Sequence, residues 1–320
     1  MQPVRMAILL PLLVILSFTS LFIGVQQLSL TDLFSLTADQ KELIWISRMP
    51  RLVSLIIAGM SLSIAGLIMQ QLSRNKFVSP STSGTMEAAG LGLLVALLVF
   101  DSASMMQKMA VSFAFSLAGT FVFMQMLEKI KFKDAVFIPL VGLMFGGVLA
   151  SVTTFFAYKY DLIQSVNSWM QGSFSGVLRG RYELLYISVP ATIAAYLFAS
   201  RFTIAGMGEE FSVNLGISYR KIVNIGLILI ALISSSVILT VGSIPFLGLI
   251  IPNLVSIFRG DNLQRNLPIT AVFGAIFVIG CDILSRVLIR PYELPISLIV
   301  GVFGSIIFLY LIMRRDVYAS

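Results

Sequence analysis

Long apolar runs recur along almost the whole chain, and short polar breaks separate them. A helix needs roughly 20 apolar residues to cross the hydrocarbon core of a bilayer. Only 12% of the residues are charged and 58% are hydrophobic, whereas a soluble domain carries roughly 25% charged residues. The chain is therefore predicted to be an all-α, polytopic membrane protein.

The polar breaks define about ten transmembrane helices in a single domain over residues 1–320. The predicted spans are 6–28, 44–72, 84–100, 108–128, 136–158, 183–200, 223–242, 245–258, 267–287 and 294–313. An apolar N-terminus can be a cleaved signal peptide. No small-residue cleavage site cleanly follows the first span, so we predict that it is retained.

Lysine and arginine positions favour one orientation. With the N-terminus inside, thirteen of the 22 basic residues fall on the inner side and nine on the outer side. Basic residues collect on the cytoplasmic side of membrane proteins. Lys129, Lys131 and Lys133, in one tight inner loop, are the strongest single support. Both termini are predicted to be cytoplasmic. The net charge of +7 is better explained by basic cytoplasmic loops than by nucleic-acid binding.

Several residue types are missing. The chain has no histidine and one cysteine, Cys281, which excludes an internal disulfide, imidazole metal sites and histidine acid–base chemistry. It also has no Gly-Lys dipeptide, hence no phosphate-binding loop of the G-x-x-x-x-G-K-[ST] kind. The sequence predicts a chain that is not an enzyme and holds no cofactor or metal, with any ATP hydrolysis on another polypeptide.

Two connections are too long to be plain turns. The outer one, 161–182, contains an amphipathic piece. It is either a short helix at the membrane surface or an interfacial loop anchored by Trp169. The inner one, 206–221, begins with acids and ends with bases, which suits a short helix or helix pair. Gly216 allows a sharp turn between two such pieces, and a cytoplasmic elbow of this kind suits contact with a soluble partner.

A few charges fall inside predicted spans. Asp282 and Arg286 are four residues apart in the ninth span, so they share a helix face. An acid in a membrane is costly unless it is paired or wet. A local ion pair is favoured over a proton relay, which would usually need more buried acids. Glu87 lies among small residues at the start of the third span. A capping or packing role is expected for it in preference to substrate contact.

Three arginines lie at the predicted outer rim. Arg48 and Arg51 open the second span, and Arg290 opens the tenth. Arginines in such places usually reach lipid headgroups. The alternative is that their guanidiniums bind carboxylates on a docking protein.

The chain resembles the FecCD family, the permeases of type II ABC importers for ferric siderophores, haem and vitamin B12. Four motifs in order carry the resemblance: ISRMPRL at 46–52 with Ala58-Gly59 and Arg74-Asn75, Leu215-Gly216 with Arg220, GSIPFLGLIIPN at 242–253, and Leu267-Pro268 with Asp282, Arg286 and Glu293-Leu294-Pro295.

The resemblance implies a ten-helix permease in a bacterial cell membrane, paired with a second permease and served by a cytoplasmic ABC ATPase dimer, which holds ATP and magnesium. It implies that an extracytoplasmic substrate-binding protein docks on Arg48, Arg51 and Arg290. The fifth and tenth spans would line the pathway. ATPase coupling would fall to Glu209, Glu210, Asn214, Leu215, Gly216, Ser218 and Arg220.

The sequence departs from the family pattern at three places. Asn253 stands where histidine is common, Ser297 stands where glycine is common, and Asn75 is followed by Lys76 instead of proline. The run RNKFVSP at 74–80 is similar to catecholate-siderophore permeases of Gram-positive bacteria. A ferric-siderophore importer permease is thus the leading hypothesis, with haem or vitamin B12 as other substrates. An ion- or proton-coupled secondary transporter is the rival class, because such proteins also have broken helices and buried polar groups.

Overall fold

The computed structural model describes residues 6–24, 37–100, 102, 104–129, 137–180, 182–289 and 291–313. Apart from one isolated β-bridge between Gln171 and Ser243, these residues form helices and their connections. The all-α prediction is confirmed. In chain order the α-helices are α1 (Met6–Phe22), α2 (Ala38–Leu43), α3 (Met49–Ser73), α4 (Thr85–Val99), α5 (Met105–Lys129), α6 (Phe137–Lys159), α7 (Ile163–Met170), α8 (Ser188–Leu197), α9 (Ala199–Met207), α10 (Glu209–Asn214), α11 (Tyr219–Val241), α12 (Leu247–Arg259), α13 (Leu263–Val287) and α14 (Ile296–Met313).

Ten apolar segments of the described chain can account for the predicted spans. Five are long and apolar enough to cross a membrane: Ala38–Ser73, Met105–Lys129, Ile138–Lys159, Tyr219–Val241 and Leu263–Val287. The bent pair α8–α9 forms a sixth if it is counted as one span, and α1, α4, α12 and α14 are four shorter apolar helices. The chain is therefore a multi-pass membrane protein of about ten spans.

The predicted sixth span, 183–200, is bent and continues to Met207. A 3₁₀ turn, Glu183–Ile187, leads into α8, and α9 follows after Phe198 at an angle of 62°. The bend carries Phe202 and Ala205 of α9 into the core, where they are 0% and 1% exposed. Burial of these side chains favours the bend over a continued helix.

The second span begins earlier than the predicted residue 44. Thr37 caps α2, because its hydroxyl accepts a hydrogen bond from the Gln40 backbone N–H and the Gln40 side chain accepts one from the Thr37 N–H. A π-helical turn, Ile44–Arg48, then joins α2 to α3. Turns of this kind often occur at functional positions in helices.

Helix α3 packs against α11, α12 and α13 at the centre of the fold. A Cβ atom on Gly66 would lie 1.8 Å from the Gly248 carbonyl oxygen of α12, and one on Gly59 would lie 2.7 Å from the Gly274 oxygen of α13. No side chain separates the helices at these crossings. Small residues commonly permit such close packing in membranes.

The long outer connection contains a short helix, α7, as one of the two alternatives predicted. Val166 of α7 is buried beside Leu94 and Ala157, so the helix packs into the protein. After α7, the Ser173 N–H donates to the Val241 oxygen at 2.9 Å, and the Ser297 N–H donates to the Gly172 oxygen at 3.2 Å. Ends of α11 and α14 are thereby tied to the segment after α7.

Candidate functional site

An ion pair is buried near the C-terminal end of α13, on the predicted outer side. The Asp282 Oδ2 atom lies 2.6 Å from the Arg286 Nη2 atom, and the two side chains are 1% and 4% exposed. The local ion pair that their spacing predicts is therefore present. In a low-dielectric interior such a pair needs further polar partners to offset the lost hydration of its charges.

Arg51 supplies one of these partners. Its Nη2 atom donates to Asp282 Oδ1 at 2.8 Å, and its Nη1 atom donates to Glu293 Oε2 at 2.8 Å. These contacts join the start of α3, the end of α13 and the connection before α14. The Arg51 side chain is only 13% exposed. The sequence did not indicate this contact between distant segments.

The C-terminal carbonyl groups of α1 complete the arrangement. Arg286 Nη1 donates to the Ser20 oxygen at 2.9 Å, and Arg48 donates to the Leu21 oxygen. A helix C-terminus carries unpaired carbonyl groups and partial negative charge. The site contains three guanidiniums but only two carboxylates, and the carbonyl groups of α1 help to compensate the remaining positive charge. We name the following set the outer charge cluster: Arg48, Arg51, Asp282, Arg286 and Glu293.

Two of the predicted docking arginines, Arg48 and Arg51, therefore point into the protein. Arg48 is 8% exposed, and Arg51 already binds two carboxylates of its own chain. Arg290 lies outside the described residues. Contact with a docking protein stays a prediction for all three, and Arg51 would have to exchange a present carboxylate partner to make it.

The predicted inner elbow, 206–221, is a pair of turns around α10. Gly208 precedes α10 with φ +122°, and Gly216 follows it with φ +74°. The Ile217 N–H donates to the Ser212 oxygen and the Gly216 N–H to the Val213 oxygen, both at 2.9 Å. This pair of bonds is the Schellman arrangement that ends a helix and favours glycine.

Charged residues of the inner elbow are exposed. The Glu209 Oε1 and Arg220 Nε atoms are 4.0 Å apart, and their side chains are 59% and 89% exposed. Glu209 and Glu210 occupy the first turn of α10, as predicted from their order in the sequence. Asn214 ends α10 and Ser218 precedes α11.

Apolar side chains of the same elbow also face solvent. Phe211, Val213 and Leu215 are 48%, 60% and 53% exposed. Exposed apolar patches mixed with polar residues mark interaction surfaces. Leu215 was among the predicted coupling residues, whereas Phe211 and Val213 were missed, although apolar residues inside a charged connection were a usable signal.

Helices α6 and α14 present uncovered apolar faces. On α6, Met144, Val148 and Phe155 are 66%, 62% and 63% exposed, and on α14 Ile306 and Leu309 are 60% and 58% exposed. These helices correspond to the fifth and tenth predicted spans. Their role as pathway-lining segments stays a prediction, and the geometry leaves their faces free for lipid, for a second chain or for a pathway.

Glu87 lies in the first turn of α4, where the helix dipole stabilises a negative charge. One of its oxygens, Oε2, is buried and accepts no hydrogen bond from the described residues. A Cβ atom on Gly146 of α6 would lie 3.3 Å from that oxygen. The carboxylate is thus packed between α4 and α6, and its predicted packing role and substrate contact both remain open.

The three departures from the family pattern have structural partners. Asn253 Nδ2 donates to the Lys76 oxygen at 2.7 Å and to the Leu249 oxygen at 2.8 Å. Lys76 Nζ donates to Asp261 Oδ2 at 2.8 Å. Ser297 uses its backbone N–H to contact Gly172. No group of three or more potential metal ligands occurs within the described ranges.

Comparisons with known proteins agree with this architecture. The chain matches a solved structure described as an inward-facing conformation of a metal-chelate type ABC transporter, with a TM-score of 0.80 and 24% identity over 96% of this chain and 97% of that one. At this identity the likeness is one of fold.

Sequence relatives are much closer. The chain is 61% identical over 308 residues to the petrobactin import system permease protein YclN of Bacillus subtilis, covering 96% of this chain and 98% of the relative. It is 40% identical over 300 residues to the ferric-anguibactin transport system permease protein FatD of Vibrio anguillarum, covering 92% and 94%. The model of the FecCD transport family matches residues 12–314, and this chain belongs to that family.

Proposed function

We propose that this chain is the membrane-spanning permease subunit of an ATP-driven importer that carries a ferric siderophore into a bacterial cell. The observation that carries the proposal is the 61% identity to a petrobactin import permease over nearly the full length of both chains. A petrobactin-type iron chelate is therefore the first substrate to test. The catecholate subclass, haem and vitamin B12 stay as narrower or alternative predictions.

The chain works in this proposal by changing shape, with ATP hydrolysis on separate subunits. The absence of a Gly-Lys dipeptide from the sequence supports this division of labour. The inner elbow offers exposed charges and apolar side chains to a cytoplasmic ATPase dimer, which would hold ATP and magnesium. Its tight turns at Gly208 and Gly216 suit it to move as a small rigid unit with α10.

Two further partners belong to the proposal. A second permease, identical or related, would cover part of the exposed faces of α6 and α14. An extracytoplasmic binding protein would deliver the chelate and dock near the outer charge cluster, using Arg48, Arg51 and Arg290. Charge complementarity at such a surface would guide orientation and speed association.

The main experiment is uptake of radioactive iron from ferric petrobactin in a deletion strain and in the same strain carrying the gene. We expect uptake to be lost in the deletion strain and restored by the gene. Iron uptake from an unrelated hydroxamate siderophore serves as the control and should be unchanged. Undiminished petrobactin uptake in the deletion strain would overturn the substrate assignment.

The rival class of secondary transporter differs in its energy source. We expect uptake to stop when ATP is depleted while the proton gradient is kept, and to survive brief collapse of the gradient at normal ATP. The opposite pattern would favour an ion-coupled transporter. Co-purification of an ATPase subunit with the tagged chain is an independent measurement of the same distinction.

The proposed orientation places the inner elbow in the cytoplasm. Cys281 is the only cysteine and is buried, so single introduced cysteines can be labelled selectively. We expect Glu210→Cys to react with a membrane-impermeant maleimide only after the membrane is opened, and Glu42→Cys to react in intact spheroplasts. The reverse labelling pattern would invert the proposed topology.

A further inference from the structure

A cavity of about 640 Å³ lies between the inner ends of α5 and α11. One face of each helix forms its walls, because the lining positions follow the i, i+3, i+4, i+7 spacing in both. Arg74, Glu209 and Tyr219 line its end on the side of the inner elbow. The residues that line the walls are Phe121, Met124, Gln125 and Glu128 of α5 and Arg220, Val223, Asn224 and Leu227 of α11.

The walls change from apolar to charged along the helix axes. Phe121 and Leu227 lie seven residues from Glu128 and Arg220 respectively, which is about 10 Å at roughly 1.5 Å per residue. The apolar residues are on the side of the membrane interior. Phe121 is 45% exposed on a spanning helix, so this wall reaches the bilayer. A headgroup at the charged end and acyl chains along the apolar wall would match this gradient.

The charged end carries two guanidiniums and two carboxylates. Arg74 and Glu128 make no side-chain hydrogen bond or ion pair with the part of the chain that the structure describes. Arg220 and Glu209 are 4.0 Å apart, at the outer limit of an ion pair. These four charges sum to zero and leave donors and acceptors available to a ligand.

We propose that this cavity binds one phospholipid of the inner leaflet, with the zwitterionic headgroup of phosphatidylethanolamine. Guanidiniums of Arg74 and Arg220 would bind the phosphate through charge-assisted hydrogen bonds. The primary ammonium would donate hydrogen bonds to Glu128 and Glu209. A choline headgroup lacks those donors, and an anionic headgroup would leave both carboxylates without a cation.

Such a lipid would connect the end of α5 to the inner elbow. Glu209 belongs to α10 and Arg220 to the first turn of α11, while Glu128 belongs to α5. The headgroup would thereby bridge α5, α10 and α11. Lipid binding goes beyond the proposed transport function and can be measured without any transport assay.

The test is lipid retention by the full-length chain, purified with its partner subunits and stripped of lipid by detergent exchange. Phosphatidylethanolamine, phosphatidylcholine and phosphatidylglycerol of the same acyl composition are added separately, and bound lipid is counted by native mass spectrometry. We expect one phosphatidylethanolamine per chain to bind about tenfold or more tightly than the other two, because the ammonium–carboxylate bonds are lost with choline and glycerol.

Two variants locate the site. Arg74→Ala and Glu128→Gln should each reduce the preference for phosphatidylethanolamine about tenfold. Lys221→Ala and Glu210→Gln are matched controls, because they remove the same charges next to the cavity from residues that do not line it, and they should keep the preference. Gel-filtration profiles and thermal unfolding check that every variant is folded.

Three outcomes would overturn the proposal. Equal binding of the three lipids would indicate nonspecific lipid around the protein. Preference for phosphatidylglycerol would indicate an anion site. Retained preference in both Arg74→Ala and Glu128→Gln would place the bound lipid elsewhere. None of these results bears on iron uptake, so failure here and failure of the proposed function are distinguishable.

Discussion

In the outer charge cluster Asp282 and Arg286 are almost fully buried and 2.6 Å apart, whereas in the inner elbow Glu209 and Arg220 are mostly exposed and 4.0 Å apart. Both pairs join an acid to an arginine. Burial keeps solvent from compensating a lost partner in the first pair, while solvent screens the second pair. Charges of the outer charge cluster therefore hold helices together, and charges of the inner elbow remain available to other molecules.

The largest expected effect comes from removing the shared acid of the outer charge cluster. Asp282→Asn would leave the guanidiniums of Arg51 and Arg286 buried with too little negative charge. We expect the free energy of unfolding to fall by about 3–5 kcal/mol, measured by equilibrium unfolding in mixed micelles. The control is Asp261→Asn, which breaks an exposed pair with Lys76 and should cost less than about 1 kcal/mol. Equal effects of the two changes would contradict the contrast between buried and exposed charges.

A smaller effect is expected at the edge of the same cluster. Glu293→Gln removes one charged acceptor of Arg51 but leaves Asp282 in contact with it. The expected loss is about 1.5–3 kcal/mol, the range for a hydrogen bond to a charged group. If Arg51 also docks a binding protein as proposed, this variant should bind that protein more tightly in a pull-down titration. Unchanged affinity would separate Arg51 from docking.

Gly216 tests whether the inner elbow acts through its shape. Its φ is +74°, and a Cβ atom there would meet nothing within 4 Å. Gly216→Val should cost about 1–2 kcal/mol, because a branched residue is strained in the left-handed region. It should also uncouple ATP hydrolysis from iron uptake.

The matched variant for the elbow is Gly216→Asn, since asparagine tolerates positive φ. Coupled uptake by Gly216→Asn alongside its loss in Gly216→Val would assign the effect to the backbone. Loss in both variants would assign it to close approach of the partner. Normal coupling in both would contradict the proposed role of the elbow.

The smallest effect is expected at the exposed pair of the inner elbow. Arg220→Ala should change the free energy of unfolding by less than about 1 kcal/mol, because its partner is distant and both side chains are solvated. The same variant should weaken ATPase co-purification, because the Arg220 side chain is proposed to contact the ATPase subunit. A loss of stability as large as that of Asp282→Asn would contradict the view that the exposed Glu209–Arg220 pair contributes little to folding.

The sequence predicted local features well. Spacing alone placed Asp282 and Arg286 on one face, and the order of charges in 206–221 predicted a short helix or helix pair with a sharp turn at Gly216. The contact of Arg51 with Glu293 could not be predicted, because 242 residues separate the partners and only the packed fold brings them together. The same limit applies to the cavity between α5 and α11. The residues that line it have helical spacing within each segment, but only the packed fold shows that the two helices face each other.

The bend after Phe198 shows a different limit. Neither proline nor glycine stands at that position, so the apolar run reads as one continuous helix. Burial of Phe202 in the core favours the bend. This burial depends on the packing of several helices, so the local sequence does not indicate it. The start of the second span before residue 44 could have been predicted from the sequence, because Thr37 and Gln40 form a recognisable capping pattern.

Close contacts of Gly66 with Gly248 and of Gly59 with Gly274 have a mechanical consequence. Backbones in direct contact have no rotatable side chains between them that could absorb strain. Helices α3, α12 and α13 should therefore move as one stiff block during a transport cycle, and relative motion should concentrate at the bent α8–α9 pair. Spin-label distances from α3 to α13 should stay constant between ATP-free and ATP-bound states, while those from α3 to α10 should change.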